Sequence, residues 1–193
     1  MTPNIPQTVV LIAYVSFFAV NLAIKIQSWT VPVAKSRIGV LETLVIVVSV
    51  PGFGLPILWL ATSYLAFADY DAHLLPLTAG GLCYALGIWL LSRVACNLGK
   101  FWCPTLQLKE NHQLVTTGIY RRIRHPMYLS LLIFSAGNAM ALPNNVAGPA
   151  MLVAMLVLIA FRVGPEERML LEEFGEEYEA YRKRSKLLIP GLW

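Results

Sequence analysis

Leu114-Val115-Thr116-Thr117-Gly118-Ile119-Tyr120-Arg121-Arg122-Ile123-Arg124-His125-Pro126-Met127-Tyr128 is the stretch on which the reading of this chain turns. Three arginines, a histidine and two tyrosines lie directly before an apolar run that starts at Leu129. A second polar cluster, Arg162-Val163-Gly164-Pro165-Glu166-Glu167, follows the next apolar run. Cations and carboxylates that close apolar runs at one face of a membrane make a candidate site.

Composition supports a membrane setting. The chain has 193 residues, 57% of them hydrophobic and only 13% charged. A soluble domain is nearer half apolar and a quarter charged. The net charge of +4 fits basic loops against anionic headgroups rather than a nucleic-acid partner.

A spanning helix needs about twenty mostly apolar residues. Five runs approach this length: Val9 to Ile24, Val40 to Leu60, Leu74 to Leu91, the shorter Leu129 to Leu142, and Val146 to Phe161. Only Pro143-Asn144-Asn145 separates the last two, so they form an antiparallel hairpin. The amino terminus lacks the basic region and cleavage site of a secretory signal, so the first run reads as a retained span. Pro51 and Pro56 predict a kink, or a loop between two short helices, inside the second run.

The five-span arrangement puts all fifteen Lys and Arg residues on one side. Lys25, Lys35 and Arg37 follow the first span. Arg93, Lys100, Lys109, Arg121, Arg122 and Arg124 follow the third. Arg162, Arg168, Arg182, Lys183, Arg184 and Lys186 follow the fifth. Asp69 and Asp71 are the side-chain charges of the opposite side. The positive-inside rule makes the basic side cytoplasmic and leaves the amino terminus outside. The expected fold is therefore all-α: a polytopic integral membrane protein with five transmembrane helices and a cytoplasmic site. It is read as one membrane domain, residues 1–193, with three amino-terminal spans in 1–92. Residues 93–193 form a core of long loop, helical hairpin and amphipathic tail helix. Pro165 suits the first position of that tail helix, and Met169, Leu170, Phe174, Tyr178 and Tyr181 give it an apolar face.

Cys83, Cys96 and Cys103 form no C-x-x-C pair, and His73, His112 and His125 lack metal-motif spacing, so no metal is expected. No G-x-G-x-x-G motif follows a strand, which removes the Rossmann route to a nucleotide cofactor. Taken singly, the polar residues have plain explanations. Arginines before a span obey the positive-inside rule, proline is common at a helix start, and tyrosines form interfacial belts. Glu166-Glu167 could serve a helix dipole, and Arg162 could snorkel from the fifth span.

The combination is more specific. L-V-T-x-G-x-Y, R-H-P-x-Y, a helical hairpin, an arginine, an E-E pair and F-G-x-x-Y-x-x-Y follow in order between about residues 105 and 185. This order resembles the carboxy-terminal core of the isoprenylcysteine carboxyl methyltransferases and their relatives, the membrane phospholipid methyltransferases. The motifs here are Leu114 to Tyr120, Arg124 to Tyr128, Arg162, Glu166-Glu167 and Phe174 to Tyr181. The resemblance implies methyl transfer from S-adenosyl-L-methionine, with S-adenosyl-L-homocysteine as product, to a lipid-like or prenylated acceptor at the bilayer. It implies cofactor contacts at Gln107, His112, Gln113, Leu114, Val115, Gly118, Tyr120, His125, Pro126, Met127, Tyr128, Glu166 and Glu167. It implies that Arg162 holds an acceptor carboxylate, with Arg162 and Glu167 as the catalytic pair.

These residue types suit the chemistry. Tyrosine faces attract a sulfonium. Glutamate can hold an α-ammonium, and arginine or histidine an α-carboxylate. Leu114 and Val115 would flank the adenine. A carboxylate acceptor is already ionised and needs no base. An amine acceptor would need one, with Glu167 or His125 as candidates. Two other classes compete: an NADPH-dependent reductase resembling the sterol reductases, which share an R-H-P-x-Y stretch, and a lipid-binding scaffold without enzymatic activity.

Overall fold

Among the described residues, four helices are long and apolar enough to cross a membrane, and a fifth apolar helix is shorter. The computed structural model describes residues 5–29, 31–36, 39–99, 107–109 and 113–189. The helices are α1 (Ile5–Ser28), α2 (Val40–Ala61), α3 (Leu74–Leu98), α4 (Pro126–Ala141) and α5 (Ala147–Arg184). In the four long ones, only 28–39% of the apolar window is buried. Leu11, Ile12, Val15 and Phe18 of α1 face outward, as a lipid-facing surface requires.

The connections meet in pairs at opposite ends. Two short strands, β1 (Val33–Ser36) and β2 (Gln107–Lys109), join the α1–α2 and α3–α4 connections in an antiparallel pair. At the other end, Asp69 bridges to Asn144, so the α2–α3 connection meets the hairpin turn. This alternation is the up-and-down arrangement expected from the apolar runs. The β-pair was not expected, because neither stretch alternates strongly enough in the sequence to read as a strand.

Small residues let α3 and α4 approach closely. A Cβ added at Gly80 would lie 2.6 Å from Ala141 Cβ, and one at Gly137 would lie 2.9 Å from Gly80 O. Asn138 pins the bundle centre. Its Oδ1 accepts from Tyr84 at 2.8 Å and Tyr14 at 3.3 Å. Its amide faces the Ala147 and Gly148 carbonyls at 3.4 Å, so one polar side chain ties α1, α3, α4 and α5 together. Buried Phe134 packs beside it on Phe17 and Tyr84.

Three expectations need correction. α2 runs unbroken through Pro51 and Pro56, so no loop divides it. A Cβ at Gly52 would run into Ala154 of α5, which shows how closely α5 covers the proline-weakened stretch. α3 continues to Leu98, beyond the end set by its apolar run, and takes up part of the supposed long loop. The tail helix does not start at Pro165. That proline lies inside α5, and the break falls at Gly175, whose φ of 52° and ψ of −124° interrupt the helical backbone. Gly164-Pro165 looked like a helix start because proline lacks a donor, but a neighbouring turn can carry it through.

Candidate functional site

The segment before α4 is built by its backbone. Gly118 takes a φ of +58° in the 3₁₀ turn Gly118–Arg121. Asn97 of α3 packs where a Cβ at Gly118 would stand, and Asn97 Oδ1 accepts from Ile119 N at 3.3 Å. The chain after α5 then returns along this segment. Lys186 N donates to Arg122 O at 2.9 Å, Arg124 N to Lys186 O at 2.8 Å, and His125 N to Leu187 O at 3.0 Å. Tyr181 Oη donates to Tyr120 O at 2.6 Å from within α5. The cassette is thereby clamped between the end of α3 and the end of the chain's last helix.

Pro126 takes the first position of α4, and its helix carries Tyr128 inward. Glu166 and Glu167 come to meet them from α5. The His125 Nε2 lies 2.9 Å from Glu167 Oε1. A carboxylate only accepts, so this nitrogen carries the proton. The same Oε1 accepts from Arg124 Nε at 2.8 Å and Tyr178 Oη at 2.8 Å. Arg182 Nε stands 3.3 Å from Oε2. Tyr128 donates to Glu166 Oε2, and the His125 and Tyr128 rings stack at 5.5 Å.

Electrostatics follow from this crowding. Burial works against the Glu167 charge, yet bonds from His125, Arg124 and Tyr178 outweigh it and hold the carboxyl down at about 2. Such a group is a poor base at neutral pH. Burial, then the Glu167 charge, pushes the Tyr178 phenol well above its usual range. Burial, then Glu166 and Tyr181, does the same to Tyr120. Burial lifts Tyr181 to about 12 against the pull of Arg124. These phenols are neutral donors at physiological pH.

Arg162 also reaches this end, but it does not snorkel. It is 6% exposed, and its Nε lies 3.4 Å from Glu42 Oε1 in the first turn of α2. Tyr128 lies within electrostatic reach of Glu166, Arg162 and Glu42. Beside the knot opens a cleft of about 620 Å³, lined by Arg124, Glu167, Arg168, Arg182 and Lys186 among others. Small-molecule sites commonly hold about 300–1,000 Å³.

The structure thus gathers Tyr120, His125, Tyr128, Arg162, Glu166 and Glu167. It does not gather every expected contact. Gln113 is exposed on the approach to the 3₁₀ turn, and Leu114 and Val115 are half-buried there. Gly118 stands in the 3₁₀ turn, where its positive φ and the close Asn97 side chain favour glycine. Met127 faces the apolar core, where it packs with Leu131 and the buried Tyr128 cluster. Gln107 sits in β2 opposite Ser36, with its side chain outside the description. His112 lies outside the described residues. Conversely, Arg124, Tyr178, Arg182, Asn97 and Glu42 belong to the cluster or its frame without having been assigned to it. Glu42 carried a signal: it is the sole charge within the apolar run from Val40 to Leu60, and an ionisable residue in such a run is a site candidate by default.

Long apolar helices, a buried hairpin and a charged knot where the helices end define a polytopic helical membrane protein with a polar site at one end. Residues 81–172 match the model of the isoprenylcysteine carboxyl methyltransferase (ICMT) family, the same family that the cassette resembles. The chain is 35% identical over 113 residues to a protein-S-isoprenylcysteine O-methyltransferase of Schizosaccharomyces pombe, 58% of this chain and 47% of the relative. It is 32% identical over 107 residues to protein-S-isoprenylcysteine O-methyltransferase B of Arabidopsis thaliana, 54% of each. The human protein-S-isoprenylcysteine O-methyltransferase is 35% identical over 83 residues, 43% of this chain and 29% of that protein. The match thus spans about half the length of the first two relatives. The solved structure of the eukaryotic intramembrane Ras methyltransferase ICMT aligns with a TM-score of 0.52 at 24% identity, over 94% of this chain and 63% of that one. That likeness speaks to the fold, and with the apolar helices it marks an integral membrane protein.

Proposed function

We propose that this protein is an S-adenosyl-L-methionine-dependent methyltransferase that methylates the carboxylate of a lipid-like acceptor, with a prenylated cysteine as the leading substrate class. The observation that carries this reading is the convergence of His125, Tyr128, Arg162, Glu166 and Glu167 inside the segment that matches the family. The match names the O-methyltransferase class, and the geometry supplies residues suited to it.

The residue set fits the cofactor. Carboxylates suit its ammonium, guanidinium groups its carboxylate, and aromatic faces its sulfonium. The cleft beside Glu167 offers both signs of charge at a suitable size. When bound, S-adenosyl-L-methionine supplies an electrophilic methyl group. Glu167, His125, Tyr120 and Tyr128 would hold it, with Gln107, His112 and the Gln113 to Val115 run as further contacts. Arg162 would orient the acceptor carboxylate. The apolar packing around Tyr128 would exclude water from the reacting groups. An ionised carboxylate needs no base, which agrees with a Glu167 that is held far below neutral pH. The same depression disfavours the amine-acceptor alternative in which Glu167 removes a proton.

The whole chain would act as one membrane domain, residues 1–92 framing the acceptor side and 93–193 the core. Five crossings, with the amino terminus outside and the site cytoplasmic, accord with the paired connections at each end and with the single-sided cations. Calorimetry on the purified protein should detect saturable binding of S-adenosyl-L-homocysteine. Incubation with methyl-labelled donor and a prenylcysteine acceptor should give a product that releases volatile methanol in base. Thermal-shift protection by NADPH instead of the methyl donor would favour the reductase reading. Binding of neither would overturn both.

A further inference from the structure

The pairing of Arg162 with Glu42 links the proposed acceptor group to a helix outside the family match. Glu42 lies in the first turn of α2, whose remaining residues from Val40 to Ala61 are uncharged. A first-turn glutamate can serve the helix dipole from an exposed position. Glu42 is instead 5% exposed. Its Oε1 makes no hydrogen bond among the described residues, and Arg162 Nε stands 3.4 Å away. A buried ion pair is costly, because desolvation exceeds the attraction unless geometry is excellent. By contrast, Glu167 on the next turn of α5 has close donors on one oxygen at 2.8–2.9 Å. The two ion pairs differ in their contact distance, 3.4 Å for Arg162 with Glu42 and 2.8 Å for Arg124 with Glu167.

We infer that Glu42 is a positioning residue that sets the plane of the Arg162 guanidinium for the acceptor carboxylate. This rests on the function proposed above. A guanidinium is a planar fork with several donor edges. A buried carboxylate 3.4 Å from Nε biases the plane in which the guanidinium lies. Tyr128, within reach of both charges, ties this pair to the cassette. The Glu42 carboxylate also offsets the Arg162 charge. Holding the acceptor is then a matter of direction more than of net charge, and the amino-terminal half takes part in orienting it.

The test uses the full-length protein in lipid nanodiscs with a prenylcysteine acceptor. Glu42→Gln keeps the shape and removes the charge. It should lower kcat roughly tenfold, since small misalignments of reacting groups are expensive. The KM for the acceptor should stay level or fall, because a like charge has been removed. Affinity for S-adenosyl-L-homocysteine should not change, which also reports the folded fraction. Glu42→Asp should recover part of kcat. In an Arg162→Lys background, Glu42→Gln should add no further loss, because the two act through one guanidinium. An unchanged kcat in Glu42→Gln overturns the inference. So does a loss that adds in full to that of Arg162→Lys, or one that follows the folded fraction alone. A wild-type protein that neither binds the homocysteine product nor methylates defeats the proposed function itself, a different result.

Discussion

The two ends of the bundle are both polar, yet they are built on opposite principles. At the Asp69 end the described polar side chains bond closely to one another and to the backbone. Asp69 Oδ1 accepts from Trp59 Nε1 and from Asn144 Nδ2, both at 2.7 Å. Asn144 Nδ2 also reaches Leu65 O at 2.7 Å, and Asn144 Oδ1 accepts from Val146 N and Ala147 N at 3.0 and 2.8 Å, capping α5. At the His125 end, charges of both signs crowd together, one carboxyl oxygen serves several donors, and Arg162 meets Glu42 at a looser distance. A latch is made from short hydrogen bonds around a single carboxylate and an amide. A site keeps charge concentrated where a ligand can share it.

This contrast can be broken by substitution. The largest effect should come from Glu167→Ala, which strands Arg124, His125, Tyr178 and Arg182. Breaking one side of a buried ion pair costs about 3–5 kcal/mol. Methyl transfer per folded molecule should fall by about a hundredfold or more. Thermal unfolding in detergent and a labelled-methyl assay measure the two together. Equal loss of stability and specific activity from Asn144→Ala would erase the distinction between the ends. That variant should instead lose about 2 kcal/mol, from the cap and the unpaired Asp69. Its specific activity should remain near that of the wild type.

Gly118→Ala sharpens the comparison at the site's frame. A left-handed φ costs an alanine about 1–2 kcal/mol, and Asn97 must also move. We expect a small fall in unfolding temperature and a larger fall in affinity for the homocysteine product. The smallest effect should appear in acid. Glu167 is held at about 2 against an ordinary 4.5, so its ionised form stabilises the fold above pH 4.5. That contribution is lost as pH falls towards 2. Glu167→Gln should flatten the acid slope of stability in this window, whereas Asn144→Ala should leave it intact. Circular dichroism across pH 2–5 would follow both.

Much of the architecture was legible because membrane helices obey local rules. Apolar length and one-sided cations located α1, α2, α4 and the start of α3 and α5, since lipid forces each segment to satisfy its own backbone. The cassette stood out for a similar reason: its residue order is contiguous. Other features were illegible. Pro165 carries a start signal, but the helix passes through it and breaks at Gly175. Gln113, Leu114 and Val115 share the cassette's contiguity but lie on its approach, and Met127 turns into the core. Sequence adjacency does not say which face a residue presents after a 3₁₀ turn and a helix start.

By itself, the order of residues determined that the chain forms apolar helices, that its cations fall in alternate connections between the apolar runs, and that His125 and Glu167 head for the same region. Only tertiary structure decided that Arg124, Tyr178 and Arg182 gather on Glu167, and that Glu42, 120 positions from Arg162 in the numbering, lies beside it. Hydropathy and helix length act over neighbouring residues and can be read locally. Charge pairing acts through space at a few ångströms, and which charges come within that range depends on how every helix packs.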